Sequence, residues 1–260
     1  MIHIHSLLQR GISHKLACQD SVNYIETDDY IFAGVFDGCS EIKDSHFASN
    51  LLNKTFKKAV ENQIENIKSK NLSLTILDVY DDVSIKDISI EILDCFFKKL
   101  DTVRLELNLT VGDFSSTCIL FFFDKISERG IVYMFGDGVL YLNEQYIKID
   151  HDNKPRYIIY YWKDLVNGKS RLLEFLNTYD QIWEIDKLEN VVLSTDGILT
   201  FKNLNNIEGD IINDLVESTE INGIRRIHQS AFFDKKYNVL SFEKWVHSDD
   251  LGLVRIYNEK

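Results

Sequence analysis

The sequence predicts an α+β layered sandwich in which antiparallel sheets are covered by helices. Strand-like alternation opens the chain, two long stretches of helical apolar spacing follow early, and consecutive strand patterns fill the middle before a second helical region. At 260 residues with 45% hydrophobic content, the chain is long enough for one well-buried core and short for two domains. A single domain over 1–260 is expected.

Residues 2–8 alternate, and the runs at 22–26 and 30–36 flank a polar turn, so the first elements are strands. From Asp44 to Lys70 the residues Phe47, Leu51, Leu52, Phe56, Val60, Ile64 and Ile67 recur at helical spacing. From Ser84 to Leu109 the residues Ile85, Ile88, Ile92, Phe96, Leu100, Val103 and Leu107 do the same. Ser45 and Ser84 are placed to cap these two helices. Strand patterns resume at 117–124, 130–135, 139–143 and 145–150, close enough in sequence to be read as an antiparallel meander. The one proline, Pro155, marks a less regular excursion, a flap over about 151–185 that includes Trp162 and Trp183. Residues 190–194 read as a short buried strand, helical patterns follow between Ile207 and Trp245, and 251–258 closes as a strand.

Composition narrows the function. A net charge of −12 argues against nucleic acid or an anionic membrane as the main partner, because both select clustered Lys and Arg. Cys18, Cys39, Cys95 and Cys118 show no Cys-x-x-Cys spacing and fit a reducing cytoplasm. The longest apolar run, 118–123, is far below membrane-spanning length, and the first residues lack a basic segment followed by a long apolar one. A soluble cytoplasmic protein is expected.

Five aspartates stand at the tips of apolar or strand-like runs: Asp20, Asp37, Asp137, Asp196 and Asp249. Gly38, Gly138 and Gly197 directly follow three of them, where a missing Cβ allows a tight turn and a close backbone approach. Asp137-Gly138 reads locally as a hairpin tip. Carboxylates at strand ends can converge on one rim of a sheet, and an oxygen-only cluster is what Mg²⁺ or Mn²⁺ requires. A two-metal site activates water and neutralises phosphoryl charge, so no nucleophilic side chain is needed; none is readable as a Ser-His-Asp or Cys-based arrangement.

The order of the segments CQDSV, VFDG, SST, GDGVLYL, STDG and DDLGLV resembles the type 2C family of metal-dependent protein serine/threonine phosphatases, in its bacterial branch. The resemblance covers nearly the whole chain. It implies a four-layer α-β-β-α sandwich and Mn²⁺- or Mg²⁺-dependent hydrolysis of phosphoserine or phosphothreonine, with two core ions and a third in some members. The substrate would be a phosphoprotein, a Ser/Thr kinase or one of its targets. By the same resemblance Asp37 bridges two metals with the Gly38 carbonyl as a further ligand. Asp196 and Asp249 hold the first metal, Gln19 and Asp20 orient bound waters at its shell, and Asp137 with Asp196 holds the third.

Several positions depart from that pattern. Where many members carry a phosphate-gripping arginine, this chain offers Arg10, His14 and Lys15. His14, then Lys15, is the expected phosphate contact or proton donor, with an ordinary loop histidine as the alternative. Gln19 replaces a common glutamate and brings no charge. Cys39 stands where eukaryotic members often place a histidine acid, and reads as a small packed residue. His3 and His5 share a strand face, and Arg225-Arg226 with Lys235-Lys236 reads as a solvated helix face. The competing functional reading is a catalytically silent phosphatase-like module that binds and regulates a phosphoprotein. An aspartate-nucleophile phosphohydrolase is excluded, since Asp37-Gly38-Cys39 lacks its second carboxylate.

Overall fold

The computed structural model describes residues 1–39, 45–73, 83–151, 154–227 and 231–259. Asp44, where the first helical pattern starts, and His228 lie outside the described residues.

Strand β1 (Ile2–Gln9) is followed by the hairpin β2 (Asp20–Glu26) and β3 (Tyr30–Gly38), then by helices α1 (Ser45–Ser73) and α2 (Ile85–Glu106). Ser84 caps α2, its hydroxyl accepting the Asp87 N–H at 3.1 Å. Next come β4 (Ser116–Asp124), β5 (Arg129–Phe135), β6 (Gly138–Leu142) and β7 (Gln145–Ile149). The 151–185 excursion is more regular than its sequence suggests, containing α3 (Trp162–Val166), α4 (Lys169–Leu176) and β8 (Ile182–Ile185). Strands β9 (Asn190–Ser194) and β10 (Phe201–Asn203) precede α5 (Ile211–Val216). The small strands β11 (Glu220–Ile221) and β12 (Ile224–Arg225), α6 (Phe232–Phe242), β13 (Trp245–His247) and β14 (Leu251–Asn258) complete the order.

Two five-stranded antiparallel sheets form, ordered β2-β3-β4-β5-β8 and β1-β14-β9-β6-β7. Their stacking explains the sequence pattern. Strand β4 reads as an unbroken apolar run because both of its faces are buried. Leu120 and Phe122 face α1 and α2, whereas Ile119, Phe121 and Phe123 pack against the second sheet. The helix-facing core is aromatic: Phe56 lies edge-on to Phe96 and Phe122, each at 5.9 Å between ring centres. Gly34 is required there, since a Cβ would come 2.7 Å from the Phe36 ring. A third core, with Ile198, Leu215, Phe232 and Phe233, covers the outer face of the second sheet beneath α5 and α6. The result is the expected four-layer α-β-β-α sandwich.

The expected meander is corrected. Strand β5 pairs with β4 and β8, while β6 pairs with β7 and β9, so 136–138 carries the chain from one sheet to the other. Asp137 is therefore no hairpin tip. Gly136 and Gly138 take φ of 112° and 143° at this crossing, and a Cβ on Gly136 would meet the Thr117 hydroxyl at 2.6 Å. The solvated basic face is also corrected. Arg225 lies on β12 and pairs with Glu259, whereas Lys236 is buried and its ammonium is bonded by Asp214, Ser218 and the Glu220 carbonyl. Trp162 is buried in the helix-facing core and its indole N–H donates to Asp101 at 3.1 Å. Among the described residues no helix is long and apolar enough to cross a membrane.

Candidate active site

The strand ends that carry the aspartates meet at one rim between the two sheets. Asp20 and Asp37 face each other directly in the β2–β3 register, at the end of the inter-sheet face. Thr117 is the partner of Asp37 on β4, and its hydroxyl donates to Asp137 Oδ1 at 3.1 Å. From the second sheet Thr195, at the end of β9, donates its hydroxyl to Asp20 Oδ2 at 2.8 Å. Thr195 also takes the Gly252 N–H at 3.0 Å, so one residue ties β9, β14 and β2 together. Asp196 follows it, and Gly197 packs so closely that a Cβ would lie 1.7 Å from the Asp250 carbonyl oxygen.

Loop 10–19 lies along the turn between β13 and β14. The Ile12 and Ser13 N–H groups donate to the His247 and Ser248 carbonyls at 3.1 and 3.0 Å. Asp250, 2% exposed, accepts the Gly11 N–H at 2.7 Å and the Gln19 N–H. The His14 ring is wedged between Asp250 Oδ2, 2.7 Å from Nδ1, and Asp249 Oδ1, 3.5 Å from Nε2. The Nδ1 contact does not have hydrogen-bond geometry. His247 orients the same turn, with Nδ1 on the Asp249 carbonyl at 2.6 Å and Nε2 on the Tyr237 hydroxyl at 3.0 Å.

The sequence signature of the family described as Protein phosphatase 2C matches residues 9–229. The chain belongs to the protein phosphatase 2C family. Solved structures with this fold include the phosphatase domain of SpoIIE from Bacillus subtilis, 17% identical, TM-score 0.52, covering 99% of this chain. This chain spans 63% of that SpoIIE fragment's length. The serine/threonine phosphatases Stp1 of Staphylococcus aureus and PstP/Ppp of Mycobacterium tuberculosis are each 11% identical with TM-score 0.51. Both comparisons cover 100% of this chain, and 96% and 99% of the respective partners. No curated protein matches the sequence significantly.

At this phosphatase 2C rim the electrostatics are those of crowded carboxylates. Burial pushes Asp37 well above the usual carboxylate range, and the neighbouring Asp20 and Asp196 add to it. Asp20 is pushed up to about 7 by burial, against the hydrogen bonds from Thr195 and Asp37. Asp196 rises to about 6 by burial and then by Asp137, Asp249 and Asp150. Asp137 rises by burial, partly offset by the Thr117 bond. Among the described residues no three His, Cys, Asp or Glu side chains converge as a ready metal shell. The donor set nevertheless fits a hard divalent cation chemically, being all oxygen and held at a raised proton affinity that positive charge would reverse.

The structure brings Asp20, Asp37, Asp137, Asp196 and Asp249 to one rim, with Gly38 N–H bonded to the Gln19 carbonyl at 3.1 Å. Gln19 contributes main chain here: both its N–H and its carbonyl are engaged. Arg10 and Lys15 are exposed on the loop, and the Arg10 guanidinium donates to the Lys15 carbonyl at 3.3 Å. Sequence reasoning missed Asp250, Thr117, Thr195, Asp150 and Tyr157. The first three lie within quoted motifs, beside the aspartates that drew attention. Tyr157, from the 151–185 segment, is held as a neutral phenol by burial beside Cys39, Asp137 and Asp37. His3 and His5 stack at 6.4 Å, and His5 Nε2 bonds the Ile227 carbonyl at 2.5 Å, a packing role.

Proposed function

We propose that this chain hydrolyses phosphoserine and phosphothreonine in proteins, using water activated by divalent metal at the Asp20–Asp37–Asp196–Asp249 rim. The observation that carries the reading is the crowding of Asp20, Asp37 and Asp196, whose mutual repulsion a cation relieves, within a chain of this family. Asp37, the Gly38 carbonyl, Asp196 and Asp249 would hold two Mn²⁺ or Mg²⁺ ions, with Asp20 and Gln19 beside them and Asp137 with Asp196 holding a third. Bound there, such ions supply charge neutralisation on the phosphoryl oxygens and lower the pKa of water.

The rest of the chemistry falls to the chain. His14, which lies beside Asp249, would touch the phosphoryl group or give a proton to the leaving alkoxide, a group too basic to depart readily alone. Lys15 and Arg10 on the same loop offer positive charge to an incoming phosphate. The substrate would be a phosphoprotein, a Ser/Thr kinase or a kinase target, acting in the cytoplasm. Hydrolysis of p-nitrophenyl phosphate and a phosphothreonine peptide in Mn²⁺, Mg²⁺ or EDTA tests this. Turnover should require metal and vanish in chelator, and Asp37→Asn should abolish it while weakening Mn²⁺ binding by calorimetry. Undiminished turnover by metal-free protein would reject the mechanism.

A silent phosphoprotein-binding module is the second reading, favoured by Arg10 being turned back onto its own loop. Metal-dependent turnover in the same assay discards it, whereas tight phosphopeptide binding with no hydrolysis in Mn²⁺ selects it.

A further inference from the structure

The carboxylate of Asp250 has an arrangement that a loop staple alone does not need. Its Oδ1 takes the Gly11 N–H at 2.7 Å and its Oδ2 takes the Gln19 N–H, so both ends of the loop are fixed by one side chain. The His14 ring, midway along that loop, then sets Nδ1 2.7 Å from the same Oδ2. The backbone of Asp250 itself is part of the same device, because its N–H donates to Asp249 Oδ1 at 2.9 Å, the oxygen that faces His14 Nε2. Gly11 lets the loop lie flush on the turn: a Cβ there would stand 2.3 Å from the Asp249 carbonyl carbon. Burying a carboxylate is costly unless it is compensated; the Gly11 and Gln19 N–H groups compensate this one, and His14 is added to them.

We propose that Asp250 is a positioning residue for the reaction: it holds the His14 imidazole over Asp249 at the mouth of the aspartate rim. The carboxylate touches neither substrate nor metal and acts only through His14 and the loop that carries it. The proposal rests on the reading of His14 given above.

The test is a double-mutant cycle on the full chain, with kcat and KM measured on a phosphothreonine peptide in Mn²⁺. Asp250→Asn keeps an acceptor for one loop N–H but removes the charge facing Nδ1, and should lower kcat about tenfold or more with a smaller change in KM. In the His14→Ala background the same substitution should cost almost nothing further in kcat, although any fall in melting temperature should recur. Equal fold losses in both backgrounds would overturn the proposal and leave a staple. A second readout needs no activity: in metal-free protein, Asp250→Asn should shift the ¹⁵N resonance of His14 Nδ1, and an unchanged resonance overturns the proposal. If wild-type chain hydrolyses neither substrate, the functional reading fails while the resonance still decides the positioning claim. Asp250→Ser carries the same cycle if the Asn variant does not fold.

Discussion

Asp20 and Asp37 stand directly opposite each other on β2 and β3, one buried carboxyl group against the other at the rim. Burial and the neighbouring carboxylates favour the protonated form, so in metal-free protein the pair holds protons more tightly than free carboxylic acids do. Asp20 titrates near 7 and Asp196 near 6, both above the ordinary range, so the native state binds protons more tightly than the unfolded chain. Their contribution to stability is therefore greatest at low pH and declines as pH rises through about 6–7. In EDTA the melting temperature should fall between about pH 5 and about pH 8, and Mn²⁺ should raise it more at the higher value. Differential scanning fluorimetry reads both, and a flat profile with no metal response would contradict the account.

Asp137 lies where the chain passes between sheets, so its role is separable from turn formation. Asp137→Asn preserves Oδ1 as an acceptor for the Thr117 hydroxyl and should leave the melting temperature within a few degrees. If Asp137 serves the site through Asp196, turnover should fall about tenfold or more while the two core metals still bind. Unaltered kinetics would leave Asp137 as a structural partner of Thr117.

His14→Ala separates proton donation from phosphate contact. Turnover on phosphothreonine should drop about a hundredfold, the scale of general acid catalysis, with a much smaller loss on p-nitrophenyl phosphate, whose leaving group departs unprotonated. Equal losses on both substrates would point to phosphate contact. No loss on either would move the role to Lys15 or Arg10.

Gly197 packs against main chain, which cannot move aside as a side-chain tip can. Gly197→Ala should destabilise the fold by about 2–4 kcal/mol, since the Cβ meets the Asp250 carbonyl at 1.7 Å. Gly112→Ala is the control: its nearest contact is 3.5 Å, and the change should be near neutral. Chemical denaturation of the two variants checks the contrast, and equal stability would show that the 249–250 turn can yield.

Most of the rim was legible because each aspartate stands at one end of an apolar or strand-like run, as Asp37 does after 30–36 and Asp249 before β14. The crossing at 136–138 was not. Two alternating strands around Asp-Gly satisfy every local rule for a hairpin, and only the pairing of β5 with β8 and β6 with β9 decides otherwise. Asp250 was hidden by its neighbour, since adjacent carboxylates in Asp249-Asp250 carry no sequence mark of which is buried. Lys236 deceived for a similar reason: a lysine beside another reads as solvated, and the carboxylate, hydroxyl and carbonyl that accept its three protons come from 214–220.

Strand β14 is last in sequence yet sits between β1 and β9, with the Asp249-Asp250 turn at its leading end. A ribosome therefore delivers Asp20, Asp37, Asp137 and Asp196 well before the strand that locks loop 10–19 against them. Without β14 beside β1, His14 would lose both carboxylates that flank it. The His14 end of the rim is thus assembled from two distant parts of the sequence, residues 10–19 and the turn that leads into β14.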